Sequence, residues 1–102
     1  MKDAFALTDR VVLVTGASRG IGAAIARAAA TAGANVAIGY RDHEDEAAAV
    51  ASQVEALGRR AVTVQADVSD PRQAERLVAS AEELLGPLDG LVNNAGRGRL
   101  KR

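Results

Sequence analysis

Three glycines follow a short apolar run near the beginning of the chain. The run is Val11–Val14, and Gly16, Gly20 and Gly22 come between it and an alanine-rich stretch. Glycine lets the backbone take positive φ and approach a ligand closely, and the first turn of a helix directs free N–H groups and the positive end of its dipole at an anion. The order of strand, glycine turn and helix therefore predicts a loop that binds a phosphate group.

Two side chains within this loop extend its chemistry. Ser18 offers a hydroxyl donor, and Arg19 offers a cation that never deprotonates. The glycines read G-x-x-x-G-x-G, which differs from the G-x-G-x-x-G of the commonest dinucleotide fingerprint, and no G-K-[ST] follows, which excludes a Walker loop. A tight turn whose glycines serve only close packing stays open as the alternative.

The composition excludes several classes of function. The 102 residues suffice for one domain at most, and 13 basic and 13 acidic side chains cancel, so no global field attracts nucleic acid or a membrane surface. The absence of cysteine excludes disulfides, thiolate metal sites and a cysteine nucleophile, and no apolar run approaches the length of a membrane span. We expect a cytoplasmic protein with no membrane partner and no specific nucleic-acid partner.

Apolar runs and helical periodicity alternate along the chain. The predicted strands are residues 11–15, 35–39, 61–66 and 88–93, and the predicted helices are 20–32, 44–57 and 71–85. The order βαβαβαβ predicts an α/β fold with a Rossmann-like, doubly wound parallel sheet in the strand order 3-2-1-4. In such a sheet a ligand lies in the crevice at the carboxyl ends of strands one and four.

The spacing of apolar residues also predicts the buried face of each helix. At the start of the third helix, Asp70 as N-cap, Pro71 at the first helical position and Gln73 at the third predict a capping box. The predicted buried positions are Ile21, Ala24, Ile25, Ala28 and Ala32 in the first helix, Ala47, Val50, Ala51, Val54 and Leu57 in the second, and Ala74, Leu77, Val78, Ala81 and either Leu84 or Leu85 in the third.

An acidic cluster surrounds the single histidine, His43. Its members are Asp42, Glu44, Asp45 and Glu46. A metal site is conceivable there, but acidic residues are also favoured in the first turn of a helix by the helix dipole. We therefore expect a helix start and no metal.

The residues at the end of the second strand bear on the choice of cofactor. Proteins that bind NAD usually place an acid there to bond the ribose 2′-hydroxyl, whereas this chain has Gly39-Tyr40-Arg41 and no acid until Asp42. Arg41 and Arg19 are suited to clamp a 2′-phosphate. We expect NADP in preference to NAD. The alternative, in which Arg41 is a solvated loop charge, stays open.

Three motifs together resemble the short-chain dehydrogenase/reductase family. They are T-G-A-S-R-G-I-G at 15–22, D-V at 67–68 and N-N-A-G at 93–96. The resemblance covers about residues 8–96 and implies an NAD(P)-binding Rossmann half-domain at 1–96, followed by a basic tail at 97–102. The stretches T-G-A-S-R-G-I-G, Q-A-D-V-S-D and L-V-N-N-A-G are most similar to the 3-oxoacyl-[acyl-carrier-protein] reductase branch.

This resemblance implies a set of cofactor-binding residues. The glycine loop is expected to hold the pyrophosphate, Asp67 to accept a hydrogen bond from the adenine amino group, and Val68 to bond adenine through its backbone. The N-N-A-G segment is expected to steady the sheet and line the adenosine half, although in isolation it is typical of an ordinary turn. The full set is Thr15, Gly16, Ser18, Arg19, Gly20, Ile21, Gly22, Arg41, Asp67, Val68, Asn94, Ala95 and Gly96.

The resemblance also implies that the catalytic residues lie downstream of N-N-A-G. In that family a tyrosine exchanges a proton with the substrate oxygen, and a lysine four residues later lowers the pKa of that tyrosine. Here the one tyrosine, Tyr40, is followed at the fourth position by Glu44, and the lysines are Lys2 and Lys101. We therefore expect no catalytic residue in these 102 residues, and we expect a truncated cofactor-binding half that is inactive alone.

A second interpretation is a free-standing nucleotide-binding or regulatory module. Leu88, Leu91 and Val92 make the predicted fourth strand apolar, and an unpaired strand edge is a template for pairing with another chain. Under this interpretation the edge of the fourth strand binds a partner or a second copy.

Overall fold

Residues 6–95 of the computed structural model are described, and they form a parallel sheet covered by helices on both faces. The strands are β1 (Val11–Val14), β2 (Asn35–Tyr40), β3 (Ala61–Gln65) and β4 (Gly90–Val92), and the helices are α1 (Gly20–Thr31), α2 (Glu44–Ala56) and α3 (Pro71–Leu85). The sheet order is β3-β2-β1-β4. The predicted α/β, Rossmann-like architecture and its strand order are confirmed.

Strand β1 lies between β2 and β4 and is buried along its whole length. Alternate side chains of a strand point to opposite faces of the sheet. Val12 and Val14 therefore join the core beneath α1 and α2, while Val11 and Leu13 join the core beneath α3. A strand with both faces covered must be apolar throughout, which explains the sequence of this run.

The strand boundaries differ by one or two residues from the predicted ones. Strand β4 is the shortest, three residues long instead of the predicted six. The backbone N–H of Leu88 bonds the carboxylate of Glu82 at 3.0 Å, so this residue contacts a helix and not a neighbouring strand. Asn93 and Asn94 follow the strand and bond the side chain of Thr15.

The predicted buried face of α1 is wrong. Ile21 is 72% exposed, Ala24 and Ala28 are exposed, Ile25 is half-buried, and Ala32 is the C-cap. The buried residues are instead Gly22, Ala23, Ala26, Ala29 and Ala30. Because α1 is rich in alanine, apolar spacing marks no single face, and close approach to the sheet selects the face with the smallest side chains.

The predicted faces of α2 and α3 agree with the structure except near the helix ends. Ala47, Val50 and Val54 of α2 are buried, but Leu57 is 49% exposed because the helix ends at Ala56 and the chain turns away at Gly58. In α3, Leu77, Ala81 and Leu85 are buried, and Leu84 is exposed. Leu85 is therefore the core residue of the last pair.

Candidate functional site

Thr15 joins the carboxyl ends of β1 and β4. Its buried hydroxyl accepts hydrogen bonds from the backbone N–H groups of Asn94 at 2.9 Å and Ala95 at 3.2 Å, and it donates one to Oδ1 of Asn93 at 3.0 Å. One side chain thus satisfies two backbone donors at a strand end that has no ladder partner for them. The segment after β4 is held against the glycine loop by these bonds.

The first and third glycines of the loop are required by packing. Gly16 has φ +62°, and a Cβ there would lie 3.1 Å from Cα of Ala95. At Gly22 a Cβ would overlap the carbonyl oxygen of Gly16 and lie 2.7 Å from Nδ2 of Asn94. That same Asn94 amide donates to the carbonyl of Gly16 at 3.1 Å. The turn, the start of α1 and the segment after β4 therefore form one close-packed unit.

Gly20 differs from these two glycines because a Cβ there would meet no atom of residues 6–95 within 4 Å. Its φ of +64° turns the chain into α1, whose N-cap, Arg19, makes no side-chain capping bond. The backbone N–H groups of Gly20, Ile21 and Gly22 donate to no other described residue, and the first turn carries no acid. Unsatisfied donors at a helix start, facing open space, are suited to bind an anion.

Ser18 and Ile21 border the same open space. Ser18 is half-buried, and its hydroxyl makes no hydrogen bond with any described residue. Ile21 presents its apolar side chain to the surface beside the free amides. The glycine loop thus combines hydrogen-bond donors, the backbone amides and the Ser18 hydroxyl, with the exposed apolar side chain of Ile21.

Arg41 follows β2 and lines a shallow depression of about 330 Å³ together with Tyr40, Asp42, His43, Glu44 and Gln65. Its Nε donates to Oδ2 of Asp42 at 3.2 Å. The terminal nitrogens Nη1 and Nη2 make no hydrogen bond with a described residue, so the planar fork that suits a phosphate group stays available.

Arg19 lies at a neighbouring depression of about 300 Å³ between α1 and α2. Its Nε is 3.8 Å from Oε1 of Glu46, and Nδ1 of His43 is 3.9 Å from that same oxygen. Arg19 and Arg41 therefore line two adjacent depressions, and the structure does not bring them together in one.

Asp67 lies at the carboxyl end of β3 with one carboxylate oxygen occupied. Oδ1 accepts from the hydroxyl of Ser69 at 2.7 Å and from its backbone N–H at 3.0 Å. These two bonds, and the positive charge of Arg41, lower the pKa of Asp67 below its usual range. Oδ2 accepts no hydrogen bond from a described residue and is available to a donor. Val68 is half-buried against the α3 core.

The predicted capping box at α3 is only partly formed. Asp70 caps the helix as expected, since its Oδ1 accepts from the backbone N–H of Arg72 at 3.0 Å. Gln73 does not bond the N–H of Asp70, because that group donates to the carbonyl of Asp67 at 3.0 Å. Gln73 instead accepts from the backbone N–H of Asp67 at 2.8 Å. Spacing alone predicted the cap but missed this contact.

The acidic residues around His43 form the start of α2, with Glu44, Asp45 and Glu46 in its first turn. Within residues 6–95 no group of three or more histidine, cysteine, aspartate or glutamate side chains is arranged to hold a metal ion. In that same part of the chain, no helix is both long and apolar enough to cross a membrane. Gly96 and the basic tail lie outside the described residues.

Comparison with known proteins identifies the family to which this geometry belongs. A family model described as short chain dehydrogenase matches residues 10–102. The chain belongs to the short-chain dehydrogenases. A curated relative, L-rhamnose 1-dehydrogenase (NAD(P)(+)) of Sphingomonas sp., is 49% identical over 90 residues, which is 88% of this chain and 35% of the relative. Versicolorin reductase 1 of Aspergillus parasiticus is 44% identical over 96 residues, or 94% of this chain and 37% of that one.

Solved structures of other short-chain dehydrogenases share the fold. One from Burkholderia cenocepacia in complex with NADP has a TM-score of 0.87 and 50% identity, and the match covers 93% of this chain and 39% of that one. A blue fluorescent protein from a metagenomic library in complex with NADPH has a TM-score of 0.84 and 49% identity, covering 88% and 37%. The short-chain dehydrogenase described here thus spans little more than a third of the length of the relatives it matches.

Proposed function

We propose that this chain binds NADP(H) at the carboxyl edge of its sheet and forms the cofactor-binding part of an oxidoreductase. The observation that carries the proposal is the start of α1, where three backbone N–H groups have no partner among residues 6–95 and a Cβ at Gly20 would meet open space. Two structural neighbours are complexes with NADP and NADPH, which supports a pyridine nucleotide as the ligand. When bound, the nucleotide supplies the hydride or accepts it.

In this proposal the glycine loop holds the pyrophosphate. The N–H groups of Gly20, Ile21 and Gly22 donate to phosphate oxygens, and the Ser18 hydroxyl adds a donor. Gly16 and Gly22 permit the close packing that fixes these donors, and Thr15 secures the loop to the segment after β4. Asn94 and Ala95 form the adjoining wall, and Gly96 is assigned to the same wall from the sequence.

Arg41 and Arg19 select NADP over NAD in this proposal. Each guanidinium is placed by a carboxylate near Nε, Asp42 for Arg41 and Glu46 for Arg19, and each keeps its terminal nitrogens free of hydrogen bonds to described residues. Such a fork bonds a phosphate bidentately. The two arginines line adjacent depressions, and either guanidinium is suited to contact the 2′-phosphate.

The loop after β3 receives the adenine. Among the described residues, Oδ2 of Asp67 and the backbone N–H of Val68 have no partner, so the first can accept from the 6-amino group and the second can donate to a ring nitrogen. The lowered pKa of Asp67 keeps its carboxylate ionised at neutral pH, and an ionised carboxylate acts only as an acceptor.

Calorimetry with NADP⁺ and NAD⁺ tests the cofactor assignment. We expect the 102-residue chain to bind NADP⁺ more tightly than NAD⁺, and R41A to weaken NADP⁺ binding about tenfold with little change for NAD⁺, because a charge-assisted phosphate contact is lost. R19A has a similar but smaller effect. R72A, which removes an exposed arginine at the start of α3, is the matched control. The absence of binding by either nucleotide to the folded chain contradicts the proposal.

For the whole protein we propose the NADPH-dependent reduction of a carbonyl to an alcohol, with a 3-oxoacyl thioester as substrate. The proposal rests on the similarity of T-G-A-S-R-G-I-G, Q-A-D-V-S-D and L-V-N-N-A-G to the 3-oxoacyl-[acyl-carrier-protein] reductases. The names of two relatives, L-rhamnose 1-dehydrogenase and versicolorin reductase, indicate other substrates for those proteins.

The 102-residue chain itself is proposed to be inactive, because the residue four positions after its one tyrosine, Tyr40, is Glu44 and not a lysine. Sustained oxidation of NADPH with acetoacetyl thioester by the purified chain contradicts this. A cytoplasmic location stays a prediction.

A second candidate function rests on the edge of the sheet. Among the described residues β4 pairs with β1 on one side only, and Leu91 is 55% exposed. We propose that a second copy pairs with this edge, since an open apolar edge templates association. Sedimentation at increasing concentration tests the idea: wild-type chain forms dimers and L91K shifts the equilibrium to monomer. A wild-type chain that stays monomeric at high concentration contradicts it.

A further inference from the structure

The loop between β3 and α3 is fixed at three points around Asp67. Its backbone N–H donates to Oε1 of Gln73 at 2.8 Å, and its carbonyl accepts from the N–H of Asp70 at 3.0 Å. Its side chain is fixed through Oδ1 by Ser69. These bonds leave Oδ2 of Asp67 and the backbone N–H of Val68 without a partner among the described residues.

The groups left free are those to which the proposed function assigns the adenine ring. We propose that Gln73 is a positioning residue for adenine recognition, acting through the backbone of Asp67. This inference rests on the proposed NADP site and deepens it, because it assigns the selectivity for the base to a residue outside the three family motifs. Gln73 itself touches no part of the proposed ligand.

Gln73 is well placed to transmit rigidity to the loop. Leu77, one turn further along α3, is buried against the sheet and anchors the helix face on which Gln73 lies. The carboxamide makes a second, weaker contact, since Nε2 lies 3.4 Å from Oδ2 of Asp70. The oxygen and nitrogen of Gln73 thus bond the first and last residues of the segment from Asp67 to Asp70.

The preceding residue is secured from the other side. The N–H of Ala66 donates to the carbonyl of Tyr40 at 2.8 Å, and Ala66 is buried. Asp67 therefore follows a fixed strand end, and its backbone N–H is bonded to a side chain of α3. Loss of the bond to Gln73 releases only this N–H group. Release of that group lets the segment from Asp67 to Asp70 shift relative to the end of β3, and with it the Asp67 carboxylate and the Val68 amide.

The experiment compares two nucleotides whose bases differ in whether ring nitrogen N1 carries a hydrogen, as it does in hypoxanthine only, and in the group at the 6-position. NADP⁺ carries an amino group there, and nicotinamide hypoxanthine dinucleotide phosphate carries an oxo group, which cannot donate to Asp67. We expect wild-type chain to prefer NADP⁺. Q73M keeps the side-chain length and helix propensity but has no carboxamide, and we expect it to reduce this preference about fivefold, the worth of one hydrogen bond. The affinity for the hypoxanthine nucleotide changes little.

Two further variants separate positioning from stability. Q73E retains an oxygen that accepts from the N–H of Asp67, and we expect it to keep more of the preference than Q73M. E83M is the matched control, because Glu83 lies exposed on the same helix and lines neither depression. If Q73M does not fold, Q73A serves as the second variant, with the same expected loss of preference.

The outcomes distinguish this inference from the proposed function. Equal losses of both affinities in Q73M, or an unchanged preference, overturn the positioning role while leaving the NADP site in place. A folded wild-type chain that binds neither nucleotide overturns the proposed function and this inference together. A wild-type chain that binds both nucleotides equally overturns the adenine contact, and with it the role of Gln73, but not the phosphate contacts.

Discussion

The starts of α1 and α3 lie at the same edge of the sheet but differ in whether a side chain caps their free backbone N–H groups. Helix α3 begins with Asp70, whose carboxylate accepts from the N–H of Arg72, and with Pro71, which has no N–H to satisfy. Helix α1 begins with Arg19, which caps nothing, and has no acid in its first turn. The start of α3 is capped by a side chain of its own sequence, and the start of α1 is left uncapped.

This difference separates a structural helix start from one that is available to a ligand. A capped start contributes stability by itself, whereas an uncapped start leaves donors that water or an anion must satisfy. The free donors of α1 begin at Gly20, where a Cβ would meet no described residue within 4 Å, and they lie next to a close-packed unit formed by Gly16, Gly22 and Asn94. Rigid packing on one side and open space on the other are what a preorganised phosphate site requires.

The two glycines at the start of α1 should give the largest contrast in stability. A methyl group at Gly22 overlaps the Gly16 carbonyl, so we expect G22A to lower the free energy of unfolding by about 3 kcal/mol. G20A meets open space and incurs only the strain of positive φ, about 1 kcal/mol. Urea denaturation followed by circular dichroism measures both. Equal losses in the two variants contradict the assignment of Gly22 to packing and Gly20 to the ligand.

Loss of the Thr15 hydroxyl should have the next largest effect. T15V preserves shape but leaves the N–H groups of Asn94 and Ala95 without an acceptor, and we expect a loss of about 2 kcal/mol in the free energy of unfolding. T31V is the control, because the hydroxyl of Thr31 bonds only the carbonyl of Arg27 on an exposed helix surface. A loss in T15V no greater than in T31V shows that Thr15 does not secure the segment after β4.

Removing the cap of α3 and adding an acid at the start of α1 test the comparison between the two helices directly. D70A removes a cap that is in use, and we expect a loss of about 1 kcal/mol. R19D adds an acid to the open start of α1, and we expect a gain of about 0.5 kcal/mol from the helix dipole, together with weaker NADP⁺ binding. Thermal unfolding and calorimetry measure the two effects. A variant R19D that is more stable and also binds NADP⁺ more tightly contradicts the view that this start is kept open for an anion.

The smallest expected effect concerns the charge of Asp67. Ser69 bonds hold the pKa of this carboxyl below its usual range in the folded chain. A lowered pKa stabilises the folded state above the pKa of the unfolded chain, and this contribution disappears as pH falls through the lowered pKa. We expect S69A to raise the pKa of Asp67, as followed by NMR titration of its carboxyl carbon, whereas S52A on α2 leaves it unchanged. An equal pKa in S69A and wild type contradicts this cause.

The sequence alone predicts most of the fold because each element carries its own signal. Buried parallel strands are apolar throughout, and the glycines that follow the three helices, Gly33, Gly58 and Gly86, all have positive φ in the structure. The buried face of α1 is not predictable in this way, since alanine occupies both faces and the sheet selects the closest approach. The prediction that Leu57 is buried is wrong for a related reason, because apolar spacing does not show where a helix ends.

The positions of the site residues can be predicted from the sequence only where those residues belong to a recognisable motif. The glycine loop and Asn94 lie together as the motifs imply, but the bond from Gln73 to Asp67 depends on how the loop after β3 folds back onto α3. Spacing assigned Gln73 to the N–H of Asp70, which in the structure is satisfied by Asp67. The separation of Arg19 and Arg41 into two depressions is likewise a tertiary property that no local pattern contains.

The most direct measurement is an NMR titration of the backbone amides of the 102-residue chain with NADP⁺. We expect the amide signals of Gly20, Ile21 and Gly22 to shift early and saturate together, while the amide of Arg72, already bonded to Asp70, shifts little. Amide signals at the start of α1 that stay unchanged in a folded chain, at concentrations of NADP⁺ that shift signals elsewhere, would contradict the claim that these donors bind the pyrophosphate.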